Sequence, residues 1–129
     1  MQEYLRLQTE SAKKMNLNIS KNKKFLKIKN VLEELKQILV KLYGFRLYDI
    51  IIYGSYARRE ERKDSDIDIA VILKGEVKLT EELNRLIDAT YDLELKHKLF
   101  FSFRPISLER YLSEGTSLFI NIKEEGISI

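Results

Sequence analysis

Residues 53–73 read YGSYARREERKDSDIDIAVIL, and the rest of the chain can be interpreted outward from them. The apolar, isoleucine-rich residues 47–53 that lead into this stretch predict a buried strand. Gly54-Ser55 ends that strand, and the polar residues after it are compatible with a short helix. Asp64-Ser65 breaks the helix, and a second strand is predicted from Asp66 to Leu73.

Two acidic side chains open the second strand. Because side chains alternate along a strand, Asp66 and Asp68 project from one face, whereas Ile67 and Ile69 project from the other. The two carboxylates lie roughly 7 Å apart along the backbone, close enough to converge on one cation. A divalent cation relieves their repulsion and their cost of desolvation. The pattern therefore predicts a metal site, and oxygen ligands of this kind suit Mg²⁺ or Mn²⁺.

The turn between the two strands is a candidate phosphate site. Gly54 lets a backbone approach a phosphate closely, and Ser55 can donate a hydrogen bond to it, aided by the following helix dipole. Arg58 and Arg59 are further candidate phosphate contacts. The charges of residues 62 and 63 are interpreted as solvated loop charges.

Gly-Ser followed at this distance by Asp-x-Asp on a strand resembles the signature of the DNA polymerase β-like nucleotidyltransferase superfamily. Gly-Ser-Tyr-Ala-Arg with Asp-Ser-Asp-Ile-Asp is similar, more narrowly, to its minimal nucleotidyltransferase family, and a looser likeness continues over residues 101–129. The resemblance implies that Gly54 and Ser55 contact the phosphates of an NTP, with ATP expected. It also implies that Asp66 and Asp68 bind the metals that assist phosphoryl transfer. The alternative is a surface turn before a strand with two solvated acids, but the combined pattern favours the family.

Two positions depart from the pattern that the resemblance implies. Members usually supply a third acid from the neighbouring strand, whereas the corresponding residues 99–106 hold no carboxylate and place Ser102 and Arg104 on the plausible face. Glu94 and Glu109 are the nearest acids in the sequence, and neither is predicted on the strand. Arg59 stands where glycine is common, which costs about 1 kcal/mol if that residue needs a positive φ.

Composition limits the class of protein. The chain has 129 residues, 44% of them hydrophobic and 33% charged, which is typical of one soluble globular domain. It contains no cysteine, so disulfides and thiolate metal sites are excluded. The sequence shows no signal peptide and no apolar run long enough to span a membrane, which predicts a cytoplasmic protein without a membrane partner.

Charge is unevenly distributed along the chain. Residues 1–46 hold 11 basic and 4 acidic residues, a balance of +7, and residues 47–129 hold 12 and 16, a balance of −4. A basic region of this kind can attract a nucleic acid or an acidic partner, although a solvated helix face and a flexible arm explain it more simply. Residues 1–22 are expected to form an arm, helical or flexible, appended to a nucleotidyltransferase domain at residues 23–129.

The remaining elements complete a mixed α/β (α+β) pattern. Apolar spacing predicts a helix over residues 25–43, ended by Gly44. A second helix is predicted from a Thr80 cap to about residue 96. Its buried residues are expected to be Leu83, Leu86, Ile87, Thr90, Tyr91 and Leu93 or nearby positions. A third strand over residues 99–106 has Pro105 near its end, which favours a sheet edge. A short helix capped by Ser107 and a last helix at residues 118–125 follow.

The pattern predicts a small mixed sheet with helices packed on it, as in the polymerase β-like nucleotidyltransferase fold. His97, near the end of the second helix, is interpreted as solvated.

Two functional hypotheses follow. The first is a Mg²⁺-dependent nucleotidyltransferase that passes NMP from an NTP to a hydroxyl of an acceptor, which could be a partner protein. The second, implied by the resemblance, is a weakly active or inactive antitoxin-like subunit that holds a small helical HEPN-type partner. A bare nucleic-acid-binding protein rests on charge alone and is the weakest alternative. The sequence is also compatible with a homo-oligomer.

Overall fold

Four helices and four strands make up the described part of the chain. A computed structural model describes residues 23–54, 57, 66–113, 115 and 117–129, with only the backbone described for residues 23–27 and 117. The elements, in chain order, are α1 (Lys23–Tyr43), a 3-10 turn (Gly44–Arg46), β1 (Leu47–Tyr53), β2 (Ile67–Leu73), α2 (Leu79–His97), β3 (Phe101–Ser107), α3 (Leu108–Ser113), α4 (Ser117–Glu125) and β4 (Ile127–Ser128).

The strands form one mixed sheet in the order β3-β2-β1-β4. β1 is antiparallel to both β2 and β4, and β2 is parallel to β3, with α2 as the crossover between them. The chain leaves β1 and enters β2 at the same end of the sheet, because these two strands are antiparallel. This arrangement confirms the predicted mixed sheet and brings the Gly54 turn and the start of β2 together.

Both faces of the sheet are covered by helices, but over different areas. On one face, α1 and α2 bury a core that includes Leu32, Leu35, Ile52, Ile69 and Leu86. On the other face, α3 and α4 cover a smaller cluster. Its buried members are Ile51, Ala70, Ile72, Ile106, Phe119 and Ile122. Asp68 and Ser102 lie on this second face, beyond the area that the small cluster occupies.

The helices α1 and α2 are joined at their surface by ion pairs. Glu34 of α1 receives Lys96 Nζ at 2.8 Å and contacts His97 Nε2 at 2.6 Å, both from the last turn of α2. At the other end of α2, the buried Glu82 pairs with Arg46 and Arg85. His97 is therefore paired with an acid, and the interpretation of a solvated histidine is wrong.

The second helix differs from its prediction in two respects. It begins at Leu79 without a side-chain cap, so Thr80 lies inside the first turn and the predicted cap is wrong. Leu86, Thr90 and Leu93 are buried as predicted, but Ile87 and Tyr91 are 50% and 57% exposed, because they lie beside the face of the helix that turns toward the core.

The other elements agree closely with the sequence. β1 has the predicted bounds, and Gly44 ends α1 with a φ of +55°. Pro105 lies on the edge strand β3, and the Ser107 hydroxyl accepts a hydrogen bond from the Arg110 amide at 3.3 Å, as expected of a cap. The two-residue strand β4 was not predicted, since so short a segment carries no periodicity.

Some predictions concern residues outside the described part of the chain. The N-terminal arm at residues 1–22 is one of them, so the predicted division of the chain at residue 23 stays a prediction. Across the described ranges, no helix is both long enough and apolar enough to cross a bilayer.

Candidate active site

A close approach between Gly54 and Asp68 defines the candidate site. Gly54 follows the last residue of β1 with a φ of +71°, a conformation that side chains of L-amino acids rarely adopt. A β-carbon at this position would overlap the Asp68 carboxylate, whose Cγ would lie 3.2 Å away. Only glycine leaves room for that carboxylate beside the turn.

Strand register aligns four side chains around this contact. Tyr53 of β1 lies opposite Asp68 of β2, which in turn lies beside Ser102 of β3. Two residues farther along β3, Arg104 lies beside Ala70. Side chains two apart on a strand share a face, so Asp68, Ser102 and Arg104 are on the same side of the sheet. Asp68 is half-buried, whereas Ser102 and Arg104 are exposed.

Tyr53 and Arg104 are joined across the middle strand. The Arg104 guanidinium donates a hydrogen bond to the Tyr53 hydroxyl. Burial raises the pKa of Tyr53 above its ordinary value, and the Asp68 charge raises it further, while Arg104 acts in the opposite direction. Tyr53 is therefore a neutral hydroxyl at physiological pH. On the middle strand, Ala70 lies beside Arg104 and presents only a short side chain.

The second aspartate precedes the strand. Asp66 is exposed and lies one residue before the start of β2, two residues from Asp68. The strand β2 therefore begins at Ile67, one residue later than predicted. Among the residues that the structure describes, no three Asp, Glu, His or Cys side chains come together as a metal-binding group. The position beside Asp68, where a third acid was sought in the sequence, holds Ser102.

The nearest acids in the sequence are used elsewhere. Glu94 Oε2 accepts a hydrogen bond from the Phe101 amide at 2.9 Å, so it fixes the start of β3. Glu109 is in the first turn of α3 and is exposed. The candidate phosphate contacts Ser55, Arg58 and Arg59 lie outside the described residues, so their roles remain predictions.

Tyr53 was not identified as a site residue from the sequence, whereas Arg104 was placed on the face of β3 where a third acid was sought. The signal that would have identified it is local: it is the last residue of β1, directly before Gly54. Its place on the Asp68 face depends on the antiparallel register between β1 and β2, and that register cannot be derived from the sequence alone.

Two curated relatives come from the archaeon Methanocaldococcus jannaschii, and each is named a putative protein adenylyltransferase. One is 24% identical over 104 residues, which is 81% of this chain and all of the relative. The other is 34% identical over 92 residues, which is 66% of this chain and 91% of the relative.

Two solved structures share the fold. A mutant of the toxin-antitoxin MntA-HpeT matches with a TM-score of 0.53 and 17% identity, over 74% of this chain and 69% of that chain. A putative nucleotidyltransferase from Sulfolobus solfataricus matches with a TM-score of 0.50 and 16% identity, over 79% of this chain and 84% of that chain. At these identities the likeness concerns the fold alone, and it confirms the predicted fold class.

The family model of the nucleotidyltransferase domain matches residues 16–128, nearly the whole chain. That match and the archaeal relatives confirm the resemblance inferred from Gly54-Ser55 and Asp66-x-Asp68, and they agree with the prediction of a transferase. The chain belongs to the nucleotidyltransferase domain family.

Proposed function

We propose that this protein is a Mg²⁺-dependent adenylyltransferase that moves AMP from ATP to a hydroxyl group of a protein. In this reaction the acceptor oxygen forms a bond to the α-phosphorus, and the bond from that phosphorus to the bridging oxygen of the β-phosphate breaks. Pyrophosphate leaves, and the proton of the hydroxyl passes to solvent. The choice of AMP and of a protein acceptor is supported by the names of the archaeal relatives.

The observation that carries the proposal is the contact between Gly54 and Asp68. The Asp68 carboxylate packs against a turn residue that lacks a side chain, so it places an oxygen ligand directly beside the turn that is predicted to contact the phosphates.

The two aspartates near the turn are suitable ligands for a divalent cation. Asp66 and Asp68 offer carboxylate oxygens at the open end of the sheet, and Mg²⁺ is usually held in proteins by one or two carboxylates together with substrate phosphates. When bound, the cation would neutralise phosphate charge and polarise the phosphoryl group. Asp66 and Asp68 are the residues that would hold it, and Ser55, Arg58 and Arg59 are the candidate contacts to the phosphates.

Arg104 and Tyr53 lie on the Asp68 face of the sheet, and the Arg104 guanidinium donates to the Tyr53 hydroxyl. A guanidinium is suited to binding the oxygens of a phosphate or a carboxylate. The Arg104 charge would oppose binding of a second cation beside Asp68, so we propose that Arg104 binds an anionic group of one of the two substrates.

The test is transfer of label from ATP to protein. The full chain is incubated with Mg²⁺, ATP labelled in its α-phosphate and a lysate as a source of acceptors, and labelled proteins are separated by electrophoresis. We expect labelling by the wild type and none by the Asp66→Asn/Asp68→Asn double variant. The same reactions with GTP, CTP and UTP identify the nucleotide.

A matched control is available on α2. Asp88 and Asp92 are exposed and are not near the site, so the Asp88→Asn/Asp92→Asn variant has the same change in charge. It is expected to label acceptors as the wild type does. Equal labelling by the wild type and the Asp66→Asn/Asp68→Asn variant would show that the label is transferred without this site.

A second candidate function is to hold a helical partner protein of HEPN type, as an antitoxin-like subunit. It is favoured by a row of exposed apolar side chains on α2, namely Leu79, Ile87, Tyr91 and Leu95, which are 50–59% exposed. It is also supported by the likeness in fold to the toxin-antitoxin MntA-HpeT.

The two functions can be separated by a pull-down from cells that produce the chain with its neighbouring gene products. If the partner role is right, a helical protein is retained by the Asp66→Asn/Asp68→Asn variant and lost with Ile87→Asp/Leu95→Asp. Retention of the same protein by the α2 variant would exclude this row of side chains as the binding surface.

A further inference from the structure

A cavity of about 220 Å³ runs along the edge strand β3, next to the candidate active site. Arg104, Ser107 and Arg110 supply its polar groups. Most of the remaining lining is apolar and comes from the chain that leads into α2 and from α4, with Leu118 and Phe119 among its members. Among the described residues that line it, the charged groups are the two arginines.

Each arginine contacts an aromatic residue at the cavity wall, although both side chains are exposed. Arg104 donates to the Tyr53 hydroxyl, and the Arg110 guanidinium carbon lies 5.6 Å from the centre of the Phe119 ring. The Arg110 amide donates to Ser107 Oγ at the start of α3. Contacts that restrict a guanidinium reduce the entropy that it loses when it binds an anion.

The size and lining of the cavity indicate the kind of anion. Two guanidinium groups beside a hydroxyl favour an oxyanion, and their attraction for it is stronger near apolar walls than in open water. The apolar walls suit methylene groups, which inorganic phosphate lacks. A carboxylate at the end of a short aliphatic chain, such as the side chain of glutamate, satisfies both parts of the lining.

The cavity begins close to the candidate site. Arg104 is two residues beyond Ser102, the neighbour of Asp68, so strand geometry places its Cα about 8 Å from that of Asp68. We propose that the cavity is a binding subsite for an acidic side chain of the acceptor polypeptide, with the carboxylate on Arg104 and Arg110 and its methylenes against Leu118 and Phe119. The assignment of the ligand to an acceptor rests on the proposed function, whereas the carboxylate subsite does not.

The subsite is tested by titration of the full chain, labelled with ¹⁵N, in the absence of nucleotide and metal. The probe is N-acetyl-glutamate N-methylamide, and its neutral counterpart is N-acetyl-glutamine N-methylamide. We expect saturable chemical-shift changes at the amides of Ser107, Arg110 and Phe119 with the acid only. Arg110→Gln should weaken the binding by about tenfold or more, because it removes one charge-assisted pair.

The control is Lys123→Gln, which removes a cation that also lies over an aromatic ring, that of Tyr111, but does not line the cavity. This variant should bind the acidic probe as the wild type does. Equal shifts from the acidic and neutral probes, or unchanged binding in Arg110→Gln, would overturn the proposal. So would tighter binding of inorganic phosphate than of the acidic probe.

The titration and the transfer assay can fail separately. Binding of the acidic probe without any transfer of AMP would refute the proposed function and leave the subsite. Transfer of AMP by a protein whose cavity does not bind the acidic probe would refute the subsite alone.

Discussion

The Asp68 carboxylate occupies the space that a β-carbon on Gly54 would need. These residues are fourteen positions apart in the chain and meet because β1 and β2 are antiparallel neighbours, with Tyr53 opposite Asp68. The turn and the acid therefore depend on each other. The first prediction changes Gly54, and the second changes Ser102, the neighbour of Asp68 on β3.

Gly54→Ala is expected to reduce both stability and activity. The positive φ costs about 1 kcal/mol of the free energy of unfolding, and the overlap with Asp68 adds to it. Urea denaturation gives the first quantity and the AMP-transfer assay the second. Gly75→Ala is the control, because Gly75 has a φ of +85° and open space around it. This variant should lose only the stability that a positive φ costs an alanine. Equal losses of stability in both variants would mean that the Asp68 overlap has no energetic effect.

Ser102→Asp is expected to strengthen metal binding. Residue 102 lies beside Asp68 on the neighbouring strand, so a carboxylate there adds an oxygen ligand next to an existing one. We expect the affinity for Mn²⁺, measured by the paramagnetic resonance of the free ion, to rise about tenfold, or about 1.4 kcal/mol. Ser102→Asn has the same shape without the charge and should leave the affinity unchanged. If the aspartate and asparagine variants bind Mn²⁺ equally, residue 102 does not reach the metal.

Glu82→Gln is expected to destabilise the fold without a direct effect on the site. The Glu82 carboxylate is 3% exposed and accepts from Arg46 at 3.2 Å and from Arg85 at 2.6 Å. Removing its charge weakens both hydrogen bonds, although Arg46 keeps its bonds to the Lys74 and Glu76 carbonyl oxygens and both guanidinium groups are partly exposed. The expected loss is about 2 kcal/mol in the free energy of unfolding. Glu81→Gln, at the exposed neighbouring position, should change it by less than about 0.5 kcal/mol, and a similar loss in both would contradict the assigned role.

Glu34 is expected to stabilise the protein only above acidic pH. The hydrogen bond from Lys96, and then that from His97, holds the pKa of the Glu34 carboxyl below its ordinary value of 4.5. A carboxyl whose pKa is lower in the folded state contributes stability above its unfolded pKa, and that contribution is lost as pH falls through the folded pKa.

The measurement for Glu34 is the free energy of unfolding of the wild type and of Glu34→Gln at pH 7 and at pH 3. The variant should be less stable than the wild type at pH 7, and the difference should shrink at pH 3. Glu33→Gln changes the exposed neighbour and should show no such dependence. A difference that stays constant or grows toward low pH would contradict the ion pairs with α2.

Local patterns predicted those elements whose residues carry one clear signal. The isoleucine-rich run gave the bounds of β1, and the apolar stripe around Leu32 and Leu35 identified α1. On α2, apolar residues occupy two adjacent faces, so spacing alone cannot tell which one is buried. The structure buries the face of Leu86 and Leu93, which packs on α1, and exposes the other.

The sequence by itself determined that Asp66 and Asp68 lie two residues apart at the start of a strand, that Gly-Ser follows the strand before it, and that β3 has no acid. Each of these depends on residues that are neighbours in the chain. Only the tertiary structure decided that Asp68 packs against Gly54 and that Arg104 bonds to Tyr53. Those contacts depend on the order and register of β1, β2 and β3, and a shift of one residue in register would turn each side chain to the opposite face of the sheet.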